Sequence, residues 1–193
     1  MNEIGAAVSA INDGAVIVYP TETVYGLGAD AMSPSAIERV FALKGRERTN
    51  PLSVALSSSD DIHRVARPDP ESAAFIDHFL PGPITVICQR QPHVPDELTA
   101  GGDRVGIRIP AHPLATHVLS HTGPLTATSA NRTGEASVRC IADLDPAISS
   151  GVGVVLDGGE TDGTASTVVD IARNIIHRRG AKIDAVEEWM EAR

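Results

Sequence analysis

Short apolar runs alternate with longer helical patterns along most of the chain. Residues 3–12 and 70–80 carry apolar side chains at helical spacing, whereas Ala15-Val16-Ile17-Val18 is a continuous apolar run typical of a buried strand. Ser33 and Pro34 form a helix start, because serine caps free backbone N–H groups and proline fits the first helical position. Further strands are predicted at 52–56, 84–88, 105–109, 125–128, 152–156, 167–171 and 175–178, and further helices at 33–44, 112–121, 141–149 and 183–192.

This order of about seven strands and about five helices predicts an α/β fold, in which a mixed sheet packs against helices. The last two strands flank Ala172-Arg173-Asn174 and are predicted to pair as a hairpin. Residues 91–103 and 157–165 are rich in turn-forming residues and are predicted as loops, the second being the best candidate for a lid over a site. The length fits one domain, residues 1–193.

Composition narrows the class of protein. Aromatic residues make up only 3% of the chain, so the core must consist mainly of Val, Ile, Leu and Ala. No apolar run approaches the length of a transmembrane helix and the first residues do not resemble a signal peptide, which predicts a cytoplasmic protein. The net charge of −9 argues against a general nucleic-acid binder, whose affinity depends on neutralising phosphates, although a local basic pocket is compatible with it.

The cysteines and histidines do not form a metal-binding pattern. Cys88 lies in an apolar strand-like run and Cys140 in a helix-like run, and both are interpreted as small buried apolar residues. His117 and His121 have helical i, i+4 spacing, but no acidic or cysteine ligand accompanies them. We therefore interpret the two histidines as one face of a helix and predict no protein metal site.

The segment after the first predicted strand is poorly suited to a core. Its sequence is Tyr19-Pro20-Thr21-Glu22-Thr23-Val24-Tyr25-Gly26-Leu27-Gly28. It places hydroxyl groups and accessible backbone at the mouth of a sheet, where small ligands bind in α/β folds. The segment therefore predicts a site for a small polar molecule.

Cations cluster at the end of the helix that begins at Ser33. Lys44-Gly45-Arg46 is followed by Arg48, which makes a candidate anion site on an acidic chain. The alternative is that these cations only complement the negative end of the helix dipole. Lys44 and Lys182 are the two lysines of the chain, so a lysine here favours a need for a compact ammonium rather than a guanidinium.

Other polar groups occur within or beside the predicted strands. Ser129-Ala130-Asn131 either binds phosphate or ribose oxygens or forms an ordinary turn. Arg108 interrupts an apolar strand, so it either faces solvent or pairs with a ligand carboxylate. Ser166 and Arg178 are similar polar groups at strand ends. No Walker A loop, nucleophile elbow or dinucleotide glycine fingerprint is present.

Taken together, these segments resemble the YrdC/TsaC family of threonylcarbamoyl-AMP synthases. The pieces occur in the family's order across about residues 15–180, so the chain resembles the short, single-domain form. They are Tyr19–Leu27, Lys44-Gly45-Arg46, Asn50-Pro51-Leu52-Ser53-Val54, Pro81-Gly82-Pro83-Ile84-Thr85, Gly106-Ile107-Arg108-Ile109-Pro110, Ser129-Ala130-Asn131, Ser166-Thr167-Val168-Val169-Asp170 and Arg178-x-Gly180.

The resemblance implies a twisted mixed sheet flanked by helices, with a concave basic cavity. It also implies synthesis of L-threonylcarbamoyl-AMP and pyrophosphate from L-threonine, bicarbonate and ATP. Mg²⁺ would accompany ATP without dedicated protein ligands. A tRNA threonylcarbamoyltransferase complex would then take over the product, so direct nucleic-acid binding is expected to be weak or absent, and no membrane is involved.

The resemblance also assigns roles to residues. Lys44 and Arg46 match the family's Lys-x-Arg and would be catalytic by holding ATP phosphates. On the nucleotide side it places Lys44, Arg46, Ser129, Asn131, Ser137 and Arg178, and on the threonine side Thr21, Arg108 and Ser166. The chain departs from the family at Ala55, where many members have histidine, and at Glu47, where many have proline.

Two alternative functions stay open from the residues. One is an RNA-binding or ribosome-maturation module, against which stand the acidic net charge and the lack of interleaved basic and aromatic residues. The other is a carbamoyl-adenylating domain, which in hydrogenase-maturation proteins sits within much larger chains.

Overall fold

The structure, a computed structural model, describes residues 3–192. Its helices are α1 Glu3–Asn12, α2 Pro34–Lys44, α3 Pro70–Phe79, α4 Asp96–Thr99, α5 Pro113–Thr122, α6 Pro146–Ser149 and α7 Ile183–Glu191. Its strands are β1 Ile17–Tyr19, β2 Gly26–Gly28, β3 Ser53–Ala55, β4 Ala66–Arg67, β5 Ile84–Arg90, β6 Arg104–Arg108, β7 Leu125–Ser129, β8 Val154–Val155, β9 Thr167–Asp170 and β10 Ile175–Arg178. Short 3-10 turns occur at Ser59–Arg64 and Ile141–Asp143.

The strands of the described residues form one sheet with the order β10-β9-β5-β6-β3-β7-β2-β1-β8. Strand β4 pairs with the C-terminal end of β5. The pairs β1–β8, β3–β6 and β5–β9 are parallel and the others are antiparallel. The predicted mixed α/β sheet is therefore confirmed. The predicted hairpin is also confirmed, because β9 and β10 pair antiparallel.

The ends of α2 follow from its sequence. The Ser33 hydroxyl accepts the N–H of Ala36 and Pro34 occupies the first turn, while Gly45 takes a left-handed conformation with φ 59° at the other end. A residue with a side chain is strained in that conformation. This termination places Lys44 in the last helical turn and directs the chain toward Arg46.

Two apolar clusters cover opposite faces of the sheet. Side chains alternate along a strand, and accordingly Val18 belongs to the larger cluster while Ile17 and Tyr19 belong to the smaller. The larger cluster includes side chains of α2 and α3, and the smaller includes side chains of α1 and α5. The smaller cluster leaves part of its face uncovered, toward β5, β6 and β9, and there the cavity described below opens.

Four segments differ from the sequence predictions. The predicted loop 91–103 contains the single-turn helix α4, and the predicted helix 141–149 is split into a 3-10 turn and α6. The split follows from Pro146, which cannot continue a helix, and from Asp145, whose carboxylate caps α6 by accepting the N–H of Ala147. Strands β2 and β4 were not predicted.

Candidate functional site

A cavity of about 460 Å³ opens on the sheet face that carries the smaller cluster. Alternate residues of β5, β6 and β9 line it, so their side chains point to this face. Seven of the nine predicted site residues line the cavity, namely Thr21, Arg46, Arg108, Ser129, Ser137, Ser166 and Arg178. Segments that lie far apart in the sequence are thus brought together as predicted.

Lys44 and Asn131 lie beneath the cavity wall rather than on it. The ammonium of Lys44 donates to the carbonyl oxygens of Ser129 at 2.5 Å and Asn131 at 2.7 Å, and the residue is only 2% exposed. The Asn131 amide donates to the carbonyls of Arg132 and Glu135. Lys44 therefore braces the turn that carries Ser129, and direct contact with phosphates stays a prediction.

Burial changes the proton affinity of the cations near this turn. Together with the smaller effect of the Arg46 charge, it lowers the pKa of Lys44 to about 8. Burial also lowers the pKa of Arg46, whose guanidinium donates to the carbonyls of Asn50 and Pro51. The bonds to the carbonyls hold the Arg46 guanidinium at the cavity wall.

Arg108 is held from behind by three consecutive residues. Its Nη2 lies 2.5 Å from Oγ1 of Thr23, 3.4 Å from Oγ1 of Thr21 and 3.1 Å from Oε1 of Glu22. The threonine hydroxyls are themselves 2.9 Å apart. This network orients the guanidinium on the cavity wall, where its planar fork suits a ligand carboxylate. Arg108 is therefore buried rather than facing open solvent and pairs with the protein's own Glu22, and contact with a ligand carboxylate stays a prediction.

Arg178 and Ser166 form a second group of polar residues that line the cavity. Arg178 donates from Nε to the carbonyl of Ser166 at 2.9 Å and from Nη2 to its hydroxyl at 2.8 Å. The same hydroxyl lies 3.0 Å from that of Thr85. Although part of Arg178 reaches solvent, its pKa is lowered, first by burial and then by the charges of Arg108 and Arg46. The three guanidiniums therefore share one electrostatic neighbourhood.

Several lining residues were not found from the sequence. Arg104 donates to the buried carboxylate of Asp170 at 2.5 Å, and Arg173 and His177 continue this end of the cavity. Arg104 and Arg108 are four positions apart in one strand, so they face the same side of the sheet. This spacing was the available signal for Arg104. Residues Arg173 and His177 lie in an exposed hairpin with no such pattern.

Comparison with known proteins identifies the family of this chain. A family model for Sua5, YciO and YrdC, described as "Telomere recombination", matches residues 9–180. The chain belongs to the Sua5/YciO/YrdC family. This confirms the resemblance expected from the ordered motifs.

Similar proteins of this family carry an enzyme name. A Pyrococcus abyssi protein named threonylcarbamoyl-AMP synthase is 36% identical over 88% of this chain and 51% of its own length. A human protein of the same name is 37% identical over 86% of this chain and 62% of its own length. The chain thus spans about half the length of the first relatives that it matches.

Solved structures of the family match the sheet and its helices. The structure of Pyrococcus abyssi Sua5 complexed with L-threonine has a TM-score of 0.88 and 33% identity, covering 96% of this chain and 56% of that one. The structure of Escherichia coli YciO has a TM-score of 0.80 at 24% identity, which shows the fold alone. A full-length HypF structure also shares only the fold, with a TM-score of 0.81 at 16% identity.

The two departures from the Sua5/YciO/YrdC pattern have different surroundings. Ala55 pairs with Arg108 in the β3–β6 register and packs against Leu125 in the smaller cluster, so it lies beside the site without lining it. Glu47 is exposed next to Arg46. Neither side chain lines the cavity in this chain.

The structure confirms one of the two cysteine predictions and contradicts the other. Cys88 is buried in β5 as expected, and burial raises the pKa of its thiol to about 12. The prediction for Cys140 was wrong, because this thiol is only half-buried and donates to Oδ2 of Asp143 before a 3-10 turn. His117 and His121 lie on exposed positions of α5 with ring centroids 5.0 Å apart. Within residues 3–192, no cluster of three or more His, Cys, Asp or Glu side chains suits a metal ion.

The predicted lid loop, residues 157–165, is attached to the site by Tyr25. The Tyr25 hydroxyl accepts the N–H of Gly158 at 2.9 Å and lies 2.7 Å from the carbonyl oxygen of Gly159. The N–H of Gly163 also donates to the carbonyl of Thr23. The loop is thus anchored at both ends in the described structure.

Across the described residues, no helix is long and apolar enough to cross a membrane.

Changing Tyr25 to phenylalanine is expected to loosen this loop. The change removes the acceptor of Gly158 and the donor to Gly159, each bond contributing about 1 kcal/mol to folding. Hydrogen exchange should therefore accelerate at Gly158 and Gly163, while the amides of β2 serve as the internal reference. Unchanged exchange at both glycines would contradict the anchoring role of Tyr25.

Proposed function

We propose that this chain synthesises L-threonylcarbamoyl-AMP and pyrophosphate from L-threonine, bicarbonate and ATP. The observation that carries the proposal is the cavity itself, which gathers Arg46, Arg108 and Arg178 with several hydroxyl groups on a chain of net charge −9. The enzyme name of the relatives and the threonine complex of the Pyrococcus abyssi structure support it.

The reaction needs what such a cavity supplies. The amino group of threonine attacks the carbon of bicarbonate, a C–N bond forms, and one oxygen leaves as water, which gives a carbamate. The carbamate is unstable in water, so a partly enclosed site limits its hydrolysis. A carbamate oxygen then attacks the α-phosphorus of ATP and pyrophosphate leaves. Both reactants are anions, so fixed cations must hold them together and stabilise the charge of the transition state. Positioning and electrostatics suffice, and no protein nucleophile is required.

The two sides of the cavity suit the two substrates. Arg46, Ser129 and Ser137 offer a cation and hydroxyls for the triphosphate and ribose, with Lys44 and Asn131 supporting that wall from beneath. Thr21 and Arg108 offer hydroxyl and guanidinium donors for the carboxylate and side chain of threonine.

Ser166 and Arg178 connect the two sides. The Ser166 hydroxyl accepts from Arg178 and can still meet the amino acid, while Arg178 is assigned to the nucleotide. Mg²⁺ would enter with the phosphates and add positive charge there. Asp170, the carboxylate among the lining residues, is paired with Arg104, which fits an ion that takes its oxygen ligands from phosphate and water.

The decisive experiment is direct detection of the product. Purified protein with threonine, bicarbonate, ATP and Mg²⁺ should yield a mass corresponding to the adenylated threonylcarbamate. Pyrophosphate release should require both threonine and bicarbonate and should proceed without tRNA. Equal pyrophosphate release without threonine would overturn the proposal.

The proposal also covers what happens to the product in the cell. In the cytoplasm, a tRNA threonylcarbamoyltransferase complex would take over the product, because the mixed anhydride between carbamate and AMP is an activated donor that hydrolyses if it is released. Direct binding of nucleic acid by this acidic chain is expected to be weak.

The activity should decline above pH 8. With a pKa of about 8, the Lys44 ammonium is protonated below this pH and loses its positive charge above it. If this charge holds the phosphate side together, kcat/KM falls by up to about tenfold per pH unit on the alkaline limb. In Lys44→Arg the limb should move beyond the measured range, because a guanidinium stays protonated. An alkaline decline at the same pH in both proteins would show that a group other than Lys44 causes it.

A further inference from the structure

Unpartnered polar atoms converge behind Arg108. Among residues 3–192, six buried side-chain atoms lack a hydrogen-bond partner, and four of them belong to Glu22, Arg108 and His112. Both carboxylate oxygens of Glu22 are in this group, although Oε1 lies 3.1 Å from Nη2 of Arg108. Glu22 thus contributes a negative charge, and its neighbours do not use the hydrogen-bonding capacity of its carboxylate.

This carboxylate divides the cavity electrostatically. Arg108 and Glu22 form an ion pair with side chains only 11% and 17% exposed, so little water screens it. Within the described residues, Arg46 and Arg178 have no carboxylate within ion-pair distance. The Arg108 end therefore carries a dipolar pair. Arg46 at the other end carries uncompensated positive charge, and so does Arg178, which lies close enough to both for their charges to lower its pKa.

The two ends differ in the ligand that they favour. A free amino acid is a zwitterion, with a carboxylate that pairs with a guanidinium and an ammonium that a nearby carboxylate attracts. A triphosphate carries several negative charges and no positive charge, so Glu22 repels it. Without Glu22, three neighbouring guanidiniums would attract the triphosphate to either end and repel the ammonium.

We infer that Glu22 is a specificity-determining residue, which reserves the Arg108 end for the zwitterionic amino acid and excludes the triphosphate from it. This inference rests on the proposed function, because that function supplies the two ligands. Glu22 acts through the charge it places beside Arg108. Its carboxylate is not among the groups that line the cavity.

The test uses Glu22→Gln and measures KM for threonine at rising ATP concentrations. In the unmodified protein, KM for threonine should stay constant or fall as ATP rises. In Glu22→Gln it should increase by about tenfold, and ATP should now compete with threonine, because the triphosphate enters the Arg108 end. A merely structural role of Glu22 would lower stability and kcat without creating this competition.

Two variants separate charge from geometry. Glu22→Asp keeps the negative charge and should keep KM for threonine insensitive to ATP. Thr23→Val removes the 2.5 Å bond to Arg108 without changing any charge, so it should raise KM for threonine without competition from ATP. Competition in Thr23→Val, or its absence in a folded Glu22→Gln, would overturn the inference.

Calorimetric binding to the unmodified protein gives a second, independent measurement. Threonine should bind with equal or higher affinity when ATP is present, and competition between the two would overturn the inference even if Glu22→Gln does not fold. Because binding is measured without product formation, this result is separate from the proposed function. Failure of the proposed function would appear instead as binding of both ligands without the adenylated product.

Discussion

Replacing Lys44 with alanine is expected to lower kcat/KM by about 10²–10³-fold, the range found when one transition-state donor is removed. The change removes a cation next to the proposed phosphate side and leaves the carbonyl oxygens of Ser129 and Asn131 without their donor. Those carbonyls fix the turn that carries the Ser129 hydroxyl. Steady-state pyrophosphate release, with thermal unfolding measured in parallel, checks the prediction.

The chain offers a matched control for this change. Lys182 is the other lysine and is exposed before α7, away from the cavity lining. Lys182→Ala should therefore keep the activity of the unmodified protein. Near-normal turnover in Lys44→Ala would remove Lys44 from the catalytic machinery, whatever its effect on the turn.

Replacing Arg108 with methionine should have the largest effect on stability. Glu22 would be left as a largely buried carboxylate without a countercharge, and breaking a buried pair in this way costs 3–5 kcal/mol in general. Because Glu22 retains some exposure, we expect a loss of about 2–4 kcal/mol and a fall in melting temperature of roughly 5–15 °C.

A second substitution tests the cause of this loss. In Arg108→Met/Glu22→Gln both charges are removed, so most of the lost stability should return, although the proposed synthesis of L-threonylcarbamoyl-AMP should not. Thermal denaturation of the unmodified protein, Arg108→Met, Glu22→Gln and the double variant gives the coupling free energy between the two positions. Purely additive effects would show that the Arg108–Glu22 pair contributes nothing to the folded state.

Local signals in the sequence predicted the parts of the fold that local interactions determine. Ser33, Pro34 and Gly45 set both ends of α2, and the structure has the same ends. Arg108 was predicted to face a ligand or solvent because it interrupts an apolar strand. The structure places it on the cavity wall with Thr23 and Glu22 behind it.

Features that depend on distant partners were not accessible in this way. Gly26–Gly28 forms β2 because β1 and β7 supply its hydrogen bonds on both sides, whereas its two glycines disfavour a strand. The direction of the Lys44 side chain depends on the carbonyls of Ser129 and Asn131, which lie 85 and 87 residues further along the chain. The family resemblance grouped Lys44 with residues expected to bind phosphate, but its position beneath the cavity wall could be seen only in the fold.

The separation between partners also constrains when the site can appear during synthesis. Arg178 contacts Ser166, Ser166 contacts Thr85, and Thr23 contacts Arg108, so these bonds join segments that leave the ribosome at different times. A nascent chain that ends before β10 contains most of the sheet but lacks one guanidinium of the three. Newly made protein should therefore acquire the proposed nucleotide binding only after translation has passed this hairpin.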